Sequence, residues 1–256
     1  MSCERNEIEL QQYYNALYRA WGAQHWWPAS SAFEVIVGAY LTQNTAWTNV
    51  ERALGNLRAA GCLNVEGIRG IRLVQLQKLI RPSGYFRQKA QRLKTFVAFL
   101  DKKYAGSLER MLAQPASELR EELLELNGVG PETADSILLY AGNHPVFVVD
   151  AYTRRILERH AILPARADYE EVRELFQRAL APVAEEQRKE PVPLERGSVR
   201  GTAHPPSVMS TAKRTSLVQV YNEMHGLIVG VGKLYCGKSR AKCEECPLRE
   251  FLPSGN

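Results

Sequence analysis

The 256-residue sequence lacks the features that define several other classes of protein. It contains no run of about 18 consecutive apolar residues, so we predict neither a membrane-spanning helix nor a membrane partner. The first ten residues are charged and lack the apolar stretch of a secretory signal, so we expect a cytoplasmic protein. Disulfides are rare in that compartment, and the five cysteines are therefore not expected to form structural disulfides.

The chain also lacks a strong charge of one sign. It has 33 Lys and Arg against 28 Asp and Glu, a net charge of +5, which permits a polyanionic partner without requiring one. With 45% hydrophobic and 24% charged residues, the composition is typical of a folded globular protein and excludes a collagen-like or wholly disordered chain. The length suits one large domain or two small ones.

Apolar residues recur at helical spacing along almost the whole chain, which predicts an all-α fold. The predicted helices are residues 6–21, 32–41, 46–60, 73–80, 86–104, 107–113, 116–125, 150–160 and 216–231. A further helical run follows Gly130, with Pro131 in its first turn. A short apolar run at 146–149 is compatible with a strand but has no evident partner strand. Residues 187–214 contain four prolines and few large apolar side chains, so we predict a mobile insert there.

Two glycines flank one apolar residue between two predicted helices, in Gly128-Val129-Gly130. This arrangement predicts a tight αα-hairpin, because glycine adopts backbone angles that are closed to other residues. Amides at the start of the following helix could then approach a phosphate. An ordinary helix–helix turn with a glycine cap explains the same residues equally well.

Asp150 lies twenty residues beyond Gly130, directly after the apolar run 146–149 and before a predicted helix. The simplest interpretation is a helix N-cap. A helix N-terminus also favours the charged form of a carboxylate, so capping is compatible with a catalytic role.

The hairpin and Asp150 occur together with Leu41–Thr45, Gly84–Ala90 and a cysteine-containing tail. This combination resembles the helix-hairpin-helix DNA glycosylases of the endonuclease III superfamily. The resemblance covers roughly residues 30–160 and 217–250.

The resemblance implies two helical domains around a DNA-binding cleft. A six-helix barrel carrying the hairpin would span 29–140, and a second domain would combine 1–28 with 141–256. It also implies double-stranded DNA with a damaged base as the partner, and we expect a monomer associated with the nucleoid. The residues expected to contact DNA are Gly128, Val129, Gly130, Lys89 and Lys233.

In bifunctional members of this superfamily a lysine after the hairpin attacks the sugar, and the matching position here is Glu132. A carboxylate cannot form the Schiff base that strand cleavage needs, so the resemblance implies a monofunctional glycosylase. Asp150 would activate water or stabilise the cationic sugar as the base leaves. Glu132 would either lie near the pocket or serve simply as an acidic residue in a first helical turn.

Tryptophans suggest the type of base. Trp26, Trp27 and Pro28, together with Trp47, resemble the 3-methyladenine glycosylase branch, in which aromatic side chains sandwich a flipped alkylated purine. An alkylated purine carries positive charge, and an aromatic face attracts a cation. The alternative is that these tryptophans pack in the core or between domains.

Gln43 and Asn44 resemble residues that lie near the flipped nucleotide in the family, although a capped joint between helix and loop explains them as well. The best substrate prediction is 3-methyladenine or a related alkylated purine. A mismatch uracil/thymine or adenine glycosylase on the same scaffold remains an alternative, as does a non-catalytic DNA-binding protein.

The tail spacing of Cys236, Cys243 and Cys246 matches three of the four positions that bind a [4Fe–4S] cluster in the superfamily. The fourth position is Leu252. A cluster would need another donor, for which the sequence offers Cys3, Cys62 and His225. A zinc site is a further alternative.

Overall fold

The computed structural model describes residues 2–189 and 204–253. Within these ranges every regular element is helical, which confirms the all-α prediction. Residues 146–149 are buried but do not form the strand with which their sequence is compatible. The α-helices of the described residues are α1 (Ser2–Trp21), α2 (Ala32–Thr42), α3 (Trp47–Ala59), α4 (Val65–Gly70), α5 (Leu73–Leu79), α6 (Phe86–Tyr104), α7 (Leu108–Leu112), α8 (Ala116–Leu124), α9 (Pro131–Ser136), α10 (Ala151–Arg159), α11 (Tyr169–Lys189) and α12 (Ser216–Leu234).

Two of these helices were not predicted from the sequence. α4 is only 6 residues long, too short for a clear periodic signal. α11 is 21 residues long and buries Val172, Phe176 and Leu180 among other residues at steps of three and four. The signal for α11 was therefore present in the sequence, although Pro182 lies inside the helix.

The contacts divide the chain into two compact units. The first unit is Ala29–His144, and the second combines Met1–Pro28 with Pro145–Asn256. The first unit extends beyond residue 140, because His144 donates its backbone N–H to the Leu138 carbonyl oxygen at 3.0 Å.

The first unit contains α2 to α9. α2 is buried from Phe33 to Leu41 and packs against α3, α6 and α9, so it forms the centre of this unit. α8 and α9 are the arms of the predicted hairpin. Arg120 of α8 pairs with the fully buried Asp135 of α9 at 2.6 Å, which holds the two arms together.

The second unit contains α1, α10, α11 and α12. α11 packs against α1 and α12, and α12 also packs against α10. α12 is buried along most of its length, and Thr215 caps its N-terminus by accepting the N–H of Val218 at 3.3 Å. This central helix is the scaffold on which the candidate site is built.

The structure corrects part of the predicted insert at 187–214. Residues 187–189 belong to α11, and the predicted mobility of 190–203 lies outside the described residues. Residues 204–214 contact the rest of their unit at several points: Ser210 is buried, and the His204 N–H donates to the Gln24 carbonyl oxygen at 3.1 Å. No described helix is long and apolar enough to cross a membrane.

Candidate active site

Asp150 is the N-cap of α10, as its position in the sequence predicts. Its Oδ1 accepts hydrogen bonds from the Thr153 N–H at 2.8 Å and the Thr153 hydroxyl at 2.9 Å. The Asp150 N–H donates in return to Thr153 Oγ1 at 3.4 Å, which completes a capping box. The cap therefore fixes the carboxylate through Oδ1, and the side chain remains 13% exposed.

His225 of α12 faces the second carboxylate oxygen. Its Nε2 lies 3.7 Å from Asp150 Oδ2, and its side chain is 6% exposed. Burial lowers the pKa of His225, the Asp150 charge opposes that shift, and the positive charge of Lys233 adds to it. The imidazole beside Asp150 is therefore uncharged at neutral pH.

Trp26 extends this cluster. Its ring centre lies 6.4 Å from that of His225 and 5.4 Å from that of Trp27. A Cβ at Gly226 would lie 3.1 Å from the Trp26 Cβ, so a glycine on α12 leaves room for the tryptophan to approach. The Nζ of Lys233 lies 5.7 Å from the centre of the Trp26 ring, within cation–π range.

The chain before Trp26 is anchored by a buried acid on α12. Glu223 Oε2 accepts the Gln24 N–H at 2.7 Å, and Glu223 Oε1 accepts from Gln219 Nε2 at 2.9 Å. Burial raises the pKa of Glu223 to about 7, although these hydrogen bonds and Arg214 act in the opposite direction. Glu223 thus fixes the segment that places Trp26 beside His225.

The second unit therefore brings together four groups: a capped carboxylate, an uncharged imidazole, a tryptophan face and an ammonium group. Of the predicted site residues, Asp150, Trp26, Trp27, Pro28, Lys233 and the tail cysteines belong to this unit. Trp27 and Trp26 are both buried, whereas Pro28 is partly exposed.

The other predicted site residues belong to the first unit. Trp47 is partly exposed at the first position of α3, and Glu132 is exposed in the first turn of α9. Asn44 is exposed with a left-handed φ of 52°, where the chain turns after α2. The functional roles of these three residues remain predictions.

Gln43 contacts both the hairpin and α6. Its Nε2 donates to the Gly128 carbonyl oxygen and to Thr133 Oγ1, both at 2.9 Å. Its Oε1 accepts from Arg92 Nη1 at 2.8 Å. These bonds make Gln43 a brace that joins α6 to the hairpin, and its role beside a flipped nucleotide stays a prediction.

The hairpin residues take different roles. Gly128 has a φ of 80°, and a Cβ there would lie 1.9 Å from Arg92 Nε, so the position requires glycine. Val129 is a correction, because its side chain is buried and its N–H donates to Leu126 O at 3.0 Å rather than to a phosphate. Gly130 is exposed and is the N-cap of α9.

Lys89 is a second correction among the residues expected to contact DNA. It is 1% exposed, and its Nζ donates to the carbonyl oxygens of Leu41 and Ser83 at 2.8 and 2.7 Å and to Thr45 Oγ1 at 2.7 Å. Burial lowers the pKa of Lys89 to about 8, with a further contribution from Arg92. This ammonium group therefore ties α6 to the end of α2, to Thr45 and to Ser83, and it is not available for a phosphate.

The [4Fe–4S] cluster at the tail cysteines stays a prediction. Among the described residues, no three His, Cys, Asp or Glu side chains are grouped so that they could hold a metal ion. Cys236 is buried, and its Sγ accepts from Arg159 Nη1 at 3.1 Å. Leu252 offers no thiolate, and Cys62 belongs to the other unit. His225 faces Asp150 instead of the tail, and the Cys3 side chain lies outside the described residues.

The sequence analysis did not identify the roles of Thr153, His225 and Arg92, and it considered His225 only as a donor to a cluster. Thr153 had a local signal, because a hydroxyl three residues after an N-cap completes a capping box. His225 and Arg92 had none, because they meet Asp150 and Gln43 only through the tertiary fold.

Comparison with known proteins agrees with the predicted family. The model of the HhH-GPD superfamily base excision DNA repair proteins matches residues 37–182. A Methanocaldococcus jannaschii protein, MJ1434, provisionally named a DNA repair glycosylase, is 39% identical over 254 residues, which is 98% of this chain and 99% of the relative.

Solved structures show the same architecture. The chain is similar to the H. pylori 3-methyladenine DNA glycosylase MagIII bound to 1,N6-ethenoadenine, with a TM-score of 0.69 and 30% identity over 89% of this chain and 97% of that protein. An endonuclease III trapped in a covalent intermediate with DNA has a TM-score of 0.67 at 17% identity, over 98% and 95% of the two chains. The second likeness concerns the fold alone.

Proposed function

The chain belongs to the HhH-GPD superfamily of base excision DNA repair proteins and is a DNA glycosylase. We propose that it hydrolyses the N-glycosidic bond of an alkylated purine in double-stranded DNA. The observation that carries the proposal is the Asp150 carboxylate, fixed by its capping box and placed in one cluster with His225 and Trp26. We further propose that the protein acts as a monomer and without strand cleavage.

Asp150 supplies the electrostatic part of the reaction. As the base departs, the deoxyribose ring gains positive charge, and a carboxylate held in place stabilises that charge without having to reorganise. Thr153 holds Oδ1, so Oδ2 is the oxygen that faces the reaction. Water then adds to the sugar, and its proton is lost to the carboxylate or to solvent.

Trp26 supports an aromatic base as the substrate. A purine stacked on an aromatic ring gains roughly 1–3 kcal/mol, and a cationic purine gains more. The solved relative with bound 1,N6-ethenoadenine supports a modified purine. A base stacked on the Trp26 face that Lys233 covers would have to displace the Lys233 ammonium.

Glu132 supports a reaction without strand cleavage. The first turn of α9 presents a carboxylate there, which cannot form a Schiff base with the sugar. Hydrolysis should therefore leave an intact abasic strand that breaks only after alkali or heat. Borohydride should trap no covalent complex between protein and DNA.

The Lys233 ammonium also favours a second candidate. A positive charge above Trp26 repels a cationic base but stabilises the negative charge that builds up on an uncharged base as it leaves. An uncharged base, such as uracil in a mismatch, is therefore the alternative substrate on the same scaffold.

One panel of duplex oligonucleotides tests both candidates. Each duplex carries one base: 3-methyladenine, 7-methylguanine, ethenoadenine, uracil opposite guanine, thymine opposite guanine, or adenine opposite guanine. We expect the fastest single-turnover excision with the alkylated purines, and Asp150→Asn is the inactive control. Faster excision of uracil or thymine would favour the second candidate, and no excision of any base would overturn the proposal.

A further inference from the structure

His225 has no role in the reaction proposed above, yet it is the residue that faces the second oxygen of Asp150. We infer that His225 is a positioning residue that holds the Asp150 carboxylate in the rotation that presents Oδ2 to the sugar. This inference rests on the proposed function, because the reacting group it positions is Asp150.

The two oxygens of Asp150 are held differently. Oδ1 accepts two hydrogen bonds from Thr153, whereas Oδ2 lies 3.7 Å from His225 Nε2. The cap alone fixes one oxygen but leaves the carboxylate free to pivot about it. A group on the opposite side, carried by the buried helix α12, limits that pivoting.

The contact favours one of the two ring nitrogens as the site of the proton. With the proton on Nε2, the N–H points toward Oδ2 and the electrostatic interaction is attractive. With the proton on Nδ1, a lone pair of nitrogen would face the lone pairs of the carboxylate, which is repulsive. The Nε2–H tautomer is therefore the one that positions Asp150.

Two aromatic rings also lie against the imidazole of His225. The rings of Trp26 and Phe147 each lie 6.4 Å from the imidazole, centre to centre, and both contact it edge to face. A phenylalanine fits such a site without burying any polar atom, and burying a polar group costs free energy unless it interacts favourably. The carboxylate that faces Nε2 gives an imidazole a role here that a phenylalanine could not fill.

Two charged groups act on the imidazole: Asp150, which favours protonation, and Lys233, which disfavours it. Burial has the largest effect and keeps the ring uncharged. A protonated His225 would pair with Asp150 and neutralise the charge that stabilises the sugar cation. An uncharged donor positions the carboxylate and leaves its charge available.

Two variants separate positioning from packing. His225→Phe keeps the ring volume and removes both nitrogens, whereas His225→Gln keeps an N–H donor in reach of Oδ2. In single-turnover assays with the best substrate of the wild-type protein, we expect His225→Phe to be slower by about 10- to 100-fold, as for a misplaced catalytic group. We expect His225→Gln to recover most of the rate, and binding to abasic-site DNA to be unchanged in both.

A merely structural role predicts the opposite order, because phenylalanine suits the aromatic surroundings better than glutamine. Equal activity of His225→Phe and the wild type, or a rate for His225→Gln no better than that of His225→Phe, would overturn the inference.

A second measurement does not depend on excision. Imidazole ¹⁵N NMR at one neutral pH reports the tautomer of His225 in the wild type and in Asp150→Ser, which keeps a capping oxygen but removes the carboxylate. We expect the Nε2–H tautomer in the wild type and a shift toward Nδ1–H in the variant. The same tautomer in both proteins would contradict the pairing. If the wild type excises no base, the proposed function fails, and this measurement still decides whether His225 orients toward Asp150.

Discussion

At the scale of single residues, Asp150 combines a helix cap with a reacting carboxylate, and one substitution separates the two roles. Asparagine caps helices as well as aspartate does, so Asp150→Asn should keep the bond to the Thr153 N–H and the fold. The loss of charge should slow excision by about 10²–10³-fold or more. Single-turnover kinetics measure the loss of catalysis, and binding to abasic-site DNA shows whether the fold is kept. Near-normal turnover of the variant would show that another group stabilises the sugar.

Glu223 makes the stability of the protein depend on pH. Burial raises its pKa in the folded protein to about 7, above its value in the unfolded chain, so the folded state holds the proton over a wider pH range. The free energy of unfolding should therefore fall as pH rises from about 4.5 to 7, by roughly 3 kcal/mol from this group, and then level off.

Glu223→Gln is the matched variant, because an amide oxygen can still accept the Gln24 N–H and cannot become charged. Urea unfolding at several pH values from about 5 to 8 should show the variant to be more stable than the wild type at high pH, with the difference shrinking toward pH 5. Parallel stability curves for the two proteins would mean that Glu223 is not the group responsible.

One variant of Lys89 distinguishes a structural role of its buried ammonium group from a contact with DNA. Lys89→Met removes three hydrogen bonds and leaves the carbonyl oxygens of Leu41 and Ser83 without this donor, so it should lower the free energy of unfolding by roughly 3 kcal/mol. The salt dependence of DNA binding should not change, whereas removing a lysine that neutralises one phosphate would reduce that slope by about 0.9. A weaker salt dependence of DNA binding, with the stability of the wild type, would show instead that Lys89 contacts DNA.

At the scale of elements, most of the helices could be predicted because their apolar residues recur at helical spacing. Asp150 could be placed at a helix start because an apolar run ends directly before it. The partners of these elements could not be predicted. His225 is 75 residues from Asp150, and Lys89 is 44 residues from Thr45, so only the packing of helices reveals either contact.

The hairpin is the element with the strictest sequence requirement. Gly128→Ala would place a Cβ 1.9 Å from Arg92 Nε at a left-handed φ of 80°, so Arg92 must leave Gln43 or the turn must change shape. We expect a loss of at least about 2 kcal/mol of stability. Gly130→Ala is the control, because Gly130 has a φ of −100° and open space at its Cβ. Equal melting temperatures for the two variants would contradict this account.

At the scale of the whole molecule, the tail that begins at Cys236 is held to the second unit by side-chain and backbone contacts. The Cys236 carbonyl oxygen accepts from Arg155 Nε at 2.7 Å, and the Cys236 Sγ accepts from Arg159 Nη1. Phe251 packs its ring against Tyr13 of α1, 5.0 Å between ring centres, and Leu248 is buried. These contacts connect the tail to α10 and α1.

These contacts lead to a prediction about the iron content of the protein and about its stability in the presence of a chelator. If protein contacts hold the tail, the full-length protein purified without oxygen should contain far less iron than a [4Fe–4S] cluster requires. A strong chelator should leave its melting temperature unchanged, and so should Cys243→Ser, since Cys243 is partly exposed. Arg159→Ala should lower the melting temperature, because it removes the donor to the buried Cys236 sulfur. Stoichiometric iron and sulfide, lost together with the fold on chelation, would instead show that the three cysteines recruit a fourth ligand and that the cluster, rather than the arginines, orders the tail.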